Sequence, residues 1–171
     1  MTKPLLILVF TAAIALGAQI EVPLGPVPFV LSDFFVLLAG LILGPRWGPL
    51  SVLLYLLMGA MGMHVFAGGG RGMEHLFGPT GGFLFGFVAA AFIAGVISHQ
   101  GPFQLLRDFA ATITAQATFF IFGIIWLKYA TGMDWTTTLE KGFLPFLFPI
   151  LFKFISATLI AHFSRKLLPS P

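Results

Sequence analysis

No cysteine occurs anywhere in the 171 residues, which excludes disulfides and thiolate-bound metal outright. Charge is almost as scarce. Asp, Glu, Lys and Arg make up 9% of the chain, against roughly a quarter in soluble domains. With 58% hydrophobic residues, the chain has more apolar side chain than one core of this size can hide. Lipid must take the remainder. The formal charge of +3 is scattered without a Lys/Arg cluster, so it reads as an orientation signal and not as a nucleic-acid patch.

Missing motifs narrow the field further. No G-x-x-x-x-G-K-[ST] occurs, so nothing points to ATP hydrolysis by this chain. His64, His75, His99 and His162 lie far apart without ligand spacing, and no metal site is expected. There is no G-x-S-x-G and no local Ser/His/Asp signature, so the chain is not expected to be an enzyme or to carry a cofactor. No convincing internal repeat is visible, which disfavours a transporter built from inverted halves.

What is present is a series of apolar blocks separated by Gly/Pro punctuation. A bilayer offers no water to free backbone groups, so each crossing must be a helix. The blocks predict an all-α polytopic membrane protein, residues 1–171 forming a single domain of six transmembrane helices. The predicted spans are 5–20, 29–43, 47–63, 81–97, 109–129 and 143–163. Pro23, Pro26 and Pro28 break the chain after the first span, Gly44-Pro45 after the second, and Gly101-Pro102 after the fourth. A short amphipathic piece at 103–107 is placed at the membrane interface. Lys3 before an apolar run ending in Gly17 and Ala18 has the outline of a signal peptide. Similar runs follow all along the chain, so this one is read as the first span. With both termini in the cytoplasm, Lys3, Arg46, Arg107, Arg165 and Lys166 fall inside, against Arg71, Lys128 and Lys141 outside.

In that orientation the polar outliers gather in the outer half. Lys153 lies near the middle of the sixth span, where an ionisable group costs about 2.5–3.5 kcal/mol on insertion scales. It therefore faces a cavity and an anionic ligand, or pairs with a carboxylate such as Asp33 or Glu74. Asp33 has two readings as well, ligand contact or a helix-start carboxylate. Thr112 and Gln116 share one face of the fifth span, as interhelical hydrogen bonding or ligand contact requires. The turn Gly78-Pro79-Thr80-Gly81-Gly82 heads the fourth span, where free N–H groups meet a ligand or merely close a long loop. Ala12, Ala13 and Gly17 form a small-residue stripe on the first span, suited to bundle packing or to a partner helix.

Taken in order, Gly25-Pro26-Val27-Pro28, Phe35-Val36-Leu37-Leu38-Ala39-Gly40, Leu43-Gly44-Pro45-Arg46, Val65-Phe66-Ala67-Gly68-Gly69 and Gly78-Pro79-Thr80-Gly81-Gly82-Phe83 resemble the BioY family. These are the biotin-specific substrate-binding components of energy-coupling-factor (ECF) vitamin transporters. The resemblance implies six helices around a vitamin pocket in the outer half, capped by the loops after spans one and three. It also implies a separate transmembrane coupling protein and two ATPase subunits, with Ala12, Ala13 and Gly17 at the coupling surface. Lys153 looks like the family's last-helix lysine. The family's pattern there reads P-G-D-x-x-K, whereas Phe148-Pro149-Ile150-Leu151-Phe152-Lys153 has isoleucine in place of the aspartate. Asp33 is the candidate replacement acceptor. His64 stands where the family favours proline.

The expected function is capture of biotin from outside the cell. The carboxylate would lie near Lys153 or Arg71, and the polar ring near Asp33 and Pro79-Thr80-Gly81, with Glu74 and Gln116 completing the candidate site. Two alternatives are another carboxylated cofactor such as lipoate, and a structural membrane subunit that binds no small molecule.

Overall fold

The computed structural model describes residues 3–101 and 105–167. Helix α1 (Lys3–Gln19) buries Ile7, Thr11, Ile14, Gly17 and Ala18, which recur at helical spacing along one stripe. Thr11 hides its hydroxyl by sharing it between the carbonyls of Ile7 and Ser51, each at 2.9 Å. The proline-rich segment that follows forms a small antiparallel ribbon. Strand β1 (Glu21–Val22) pairs with β2 (Phe29–Val30), Glu21 standing opposite Val30. The second span consequently begins three residues later than predicted, at Ser32, because Phe29 and Val30 are engaged in strand pairing.

Helix α2 (Ser32–Ala60) holds both the second and third predicted spans. Gly44 divides them: its backbone has φ 82° and ψ −174°, a conformation open to glycine, and Pro45 then removes a donor. A Cβ on Gly48 would stand 2.9 Å from the Ala39 carbonyl oxygen. In a straight helix residues that far apart in sequence are about 13 Å apart along the axis. The chain has therefore folded back, and segments 32–43 and 45–60 are close antiparallel neighbours.

A 3-10 turn (Ala67–Gly69) and a one-turn helix α3 (Gly72–Leu76) occupy the glycine-rich loop. Helix α4 (Gly81–Ser98) lies between α2 and α5 (Leu105–Thr131). Its approach to α2 is so close that a Cβ on Gly40 would meet the Ala91 carbonyl oxygen at 2.5 Å. Small residues permit such backbone contact between membrane helices. The chain then forms α6 (Trp135–Gly142), capped by Asp134 through the Thr137 N–H, a second 3-10 turn (Leu144–Phe146), and α7 (Leu147–Leu167) against α2 and α5. Of the piece expected at 103–107, residues 103 and 104 lie outside the described residues, and 105–107 form the first turn of α5.

Among the described residues, four segments are long and apolar enough to cross a membrane: Ser32–Ala60, Gly81–Ser98, Leu105–Thr131 and Trp135–Arg165, with Lys3–Gln19 a shorter apolar helix. Counting the two arms of α2 separately gives six crossing segments. Their outer surfaces expose Leu16, Leu106, Phe148 and Phe152, a belt suited to lipid. The chain is a multi-pass membrane protein.

At the bundle end where α4 finishes and α5 begins, a polar cluster is buried. Arg165 of α7 pairs with Asp108 of α5, and Ser98 of α4 donates to Asp108 Oδ1 at 2.8 Å. Arg165 also reaches Ser98 Oγ, and His162 Nδ1 lies 3.8 Å from Asp108 Oδ2. Three helices are tied together there.

Candidate ligand site between α2, α5 and α7

The start of α2 places Asp33 in its first turn, where Oδ1 accepts the Phe34 N–H at 3.0 Å. The same oxygen accepts from Lys153 Nζ of α7 at 2.6 Å. Lys153 also donates to the Val30 carbonyl at 2.7 Å and sits 3.8 Å from the centre of the Phe29 ring. From α5, Gln116 Nε2 donates to Asp33 Oδ2 at 3.4 Å. Lys153 and Asp33 are 4% and 6% exposed, so the pair is removed from water and must rely on these contacts. Its net charge is zero. Thr112, on the same face of α5 as Gln116, serves interhelical hydrogen bonding: its hydroxyl is 3.3 Å from that of Thr158 on α7.

Beside the pair lies a cavity of about 60 Å³. Phe29, Phe83, Phe87, Phe119, Phe120 and Phe146 line it, and Ile150 contributes to its wall. The rings brace one another, Phe87 stacking on Phe119 with centroids 5.2 Å apart. Ser32, Tyr55, His75 and Thr80 join Asp33 and Lys153 as its lining residues with polar side chains. Lys153 is thus paired to Asp33, one of the two carboxylates expected as its partner, and also borders a cavity.

Above this cavity is a cleft lined by Glu21, Glu74, Pro79, His75 and Thr80 among others. Pro28, Ala67, His75 and Thr80 border both spaces and form the partition between them. His75 is half-buried with its ring stacked on Phe66, centroids 5.1 Å apart. Burial lowers its pKa below the usual histidine value, partly opposed by the Glu21 carboxylate, so the ring is neutral at pH 7. Trp126 Nε1 donates to the Gly78 carbonyl at 2.9 Å and fastens the Gly78–Gly81 turn to α5. On the far side, Phe120 and Ile150 also line, together with Gln116, a groove of about 550 Å³ between α5, α6 and α7, on the lipid-facing surface.

The structure thus joins Asp33, Gln116 and Lys153, and puts Thr80 on the cavity wall. Pro79 and Glu74 line the outer cleft instead. Gly81 is buried, where a Cβ would strike the Leu76 carbonyl oxygen at 2.2 Å. Arg71 is exposed at the head of α3 and is not among the residues lining the cavity. The small-residue stripe is divided between its two readings, bundle packing and an open face. Gly17 faces inward, with Phe35, Ser32 and Leu31 within 3.1 Å of where its Cβ would be, because α1 packs there on the start of α2. Ala12 is exposed and Ala13 half-buried. Sequence reasoning missed the phenylalanine walls, since hydropathy gives cavity-lining and lipid-facing rings the same score.

Along residues 1–170 the sequence matches the BioY family. The chain belongs to that family. It is 41% identical over 157 residues to a probable biotin transporter BioY of Pyrococcus horikoshii, with 92% of each chain covered. It is 40% identical over 159 residues to the biotin transporter BioY of Thermotoga maritima, with 93% of each covered. Both names are those of transporters, in line with the expectation that a BioY chain is not an enzyme. The fold matches the crystal structure of an S-component for biotin from an ECF-type ABC transporter, with a TM-score of 0.87. The match covers 96% of this chain and 90% of that one, at 24% identity. The six-segment bundle is the S-component fold.

Proposed function

We propose that this BioY chain is the substrate-binding membrane subunit of an ECF-type vitamin uptake transporter and captures biotin from outside the cell. The observation that carries this reading is the Lys153–Asp33 pair opening onto a phenylalanine-walled cavity, in a chain about two-fifths identical to named biotin transporters. Because Asp33 already neutralises Lys153, a carboxylate placed beside them would add an uncompensated charge in a buried site. A neutral urea fits better: its N–H groups meet Asp33 and its oxygen meets Lys153. The ureido ring therefore lies at the pair, and the aliphatic chain runs along the phenylalanine walls. The carboxylate points outward past neutral His75 toward the cleft and exposed Arg71. That polarity replaces the expectation of a carboxylate at Lys153.

A cavity of about 60 Å³ is well below the several hundred Å³ typical of ligand pockets, so binding displaces its walls. The partition of Pro28, Ala67, His75 and Thr80 is the wall that the cavity shares with the outer cleft. Reorientation and release then depend on a membrane coupling protein and ATPase subunits, because no phosphate-binding loop occurs in this chain. Exposed Ala12 with Leu8 and Leu16 is the part of α1 open to that partner. Both termini lie in the cytoplasm, following the excess of basic residues on that side.

Isothermal titration of the purified protein in detergent tests the reading. Saturable biotin binding at micromolar concentration or tighter supports it, and absence of heat overturns it. Lipoate lacks the urea, so it binds at least about tenfold more weakly. Equal affinity would shift the assignment to acyl-chain acids in general.

A further inference from the structure

We propose that Ser32 is a ligand-contacting residue, and that its hydroxyl hydrogen-bonds the ureido oxygen of the guest alongside Lys153. The inference rests on the biotin reading above. Ser32 is 1% exposed and borders the same cavity as Asp33 and Lys153. Its Oγ is buried and has no hydrogen-bond partner among the described residues. Burying a hydroxyl without a partner is costly, and folded proteins rarely leave one so.

The other buried hydroxyls show how consistently this bundle supplies partners. Ser51 donates to the Gly48 carbonyl at 2.6 Å, Ser98 to Asp108 at 2.8 Å, and Thr11 to Ile7 and Ser51. Thr112 bonds Phe109 and meets Thr158. Ser32 differs from all of these in lying on the cavity wall next to the charged pair.

The local backbone explains why nothing else serves it. Leu31 stands at the helix cap and offers no side-chain acceptor, and the Asp33 carboxylate accepts from Phe34, Lys153 and Gln116 but not from Ser32, keeping some acceptor capacity of its own. The corner of the cavity thus offers a hydroxyl and an ammonium as donors and one carboxylate as acceptor. A urea has the converse set, two N–H donors and one oxygen able to accept twice. No net charge is added when the two sets meet.

A group that costs stability when the cavity is unfilled and contributes when it is filled leaves an unusual signature. Ser32→Ala should leave the melting temperature of ligand-free protein unchanged or raise it, while raising the Kd for biotin about three- to tenfold. The same factor should appear with biotin methyl ester, since the urea is untouched. Ser32→Cys, close in volume but a weaker donor, should fall between. An unchanged Kd in Ser32→Ala would overturn the proposal. A lowered ligand-free melting temperature would do so too, because it would reveal a structural partner. A loss confined to the free acid would place Ser32 at the carboxylate and also overturn it. Failure of the unsubstituted protein to bind biotin is a separate result: it overturns the biotin reading itself and this assignment with it.

Discussion

Lys153 and Asp33 stand 120 residues apart in sequence yet share one hydrogen bond of 2.6 Å, and removing either alone strands the other. Lys153→Ala should destabilise the fold by about 3–5 kcal/mol, the usual cost of leaving a buried charge without its partner. Lost uptake in that variant would therefore say little about ligand contact. The double variant Asp33→Asn with Lys153→Met should recover most of the melting temperature while titration still shows no binding. Recovery of both would reduce the pair to a structural device. His75 gives a second handle. Its pKa is lowered by burial, so the unfolded chain takes up the proton first as pH falls. Stability is full above the unfolded value of about 6.5 and declines as pH drops below it. Melting between pH 7.5 and 5.5 should show this slope, reduced in His75→Gln but not abolished, because burial also lowers the His99 pKa. At this scale the sequence was half legible. An ammonium inside an apolar run stands out, and Asp33 is one of two carboxylates that the sequence offers as its partner. The cavity walls were not legible: Phe83 and Phe87 face inward while Phe148 and Phe152 face lipid, and nothing local marks the difference.

Among the elements, α2 shows how a short signal sets architecture. Gly44-Pro45 was readable as a break, and the structure makes it a reversal that brings Gly48 onto the backbone of Ala39 and Gly40. Gly44→Ala should cost about 1–3 kcal/mol for its glycine-only backbone conformation, with His99 Nε2 a further obstacle 3.2 Å from the new Cβ. Gly48→Leu should be worse, since backbone cannot yield as a side chain can, and its membrane level on expression should collapse. The β1–β2 ribbon and α3 were not legible, because two-residue strands and a one-turn helix are too short to show a period. Helix α6 left a readable trace in Asp134, whose Oδ2 accepts the Thr137 N–H at 3.1 Å as a helix cap.

Across the whole molecule, α7 is held at two buried polar points, Lys153 near its middle and Arg165 near its end. The second was missed in the sequence, where Arg165 counted only as a terminal charge and Asp108 lay 57 residues away, just before a predicted span. Asp108→Ala should lower stability by about 3–5 kcal/mol while changing biotin affinity less than about threefold, because this cluster and the cavity share no residue. Melting and titration of one preparation would separate the two effects. The lack of cysteine makes orientation directly measurable. A single Lys3→Cys variant should react with a membrane-impermeant maleimide in inverted vesicles and not in intact cells. The boundary formed by Phe120 and Ile150 has a practical corollary, since it is one side chain thick between the buried chamber beside Lys153 and the lipid-facing groove. Solubilising amphiphiles whose tails lodge in that outer furrow press on the chamber from behind, so biotin titrations in short-chain detergent and in nanodiscs should give different affinities for the same preparation.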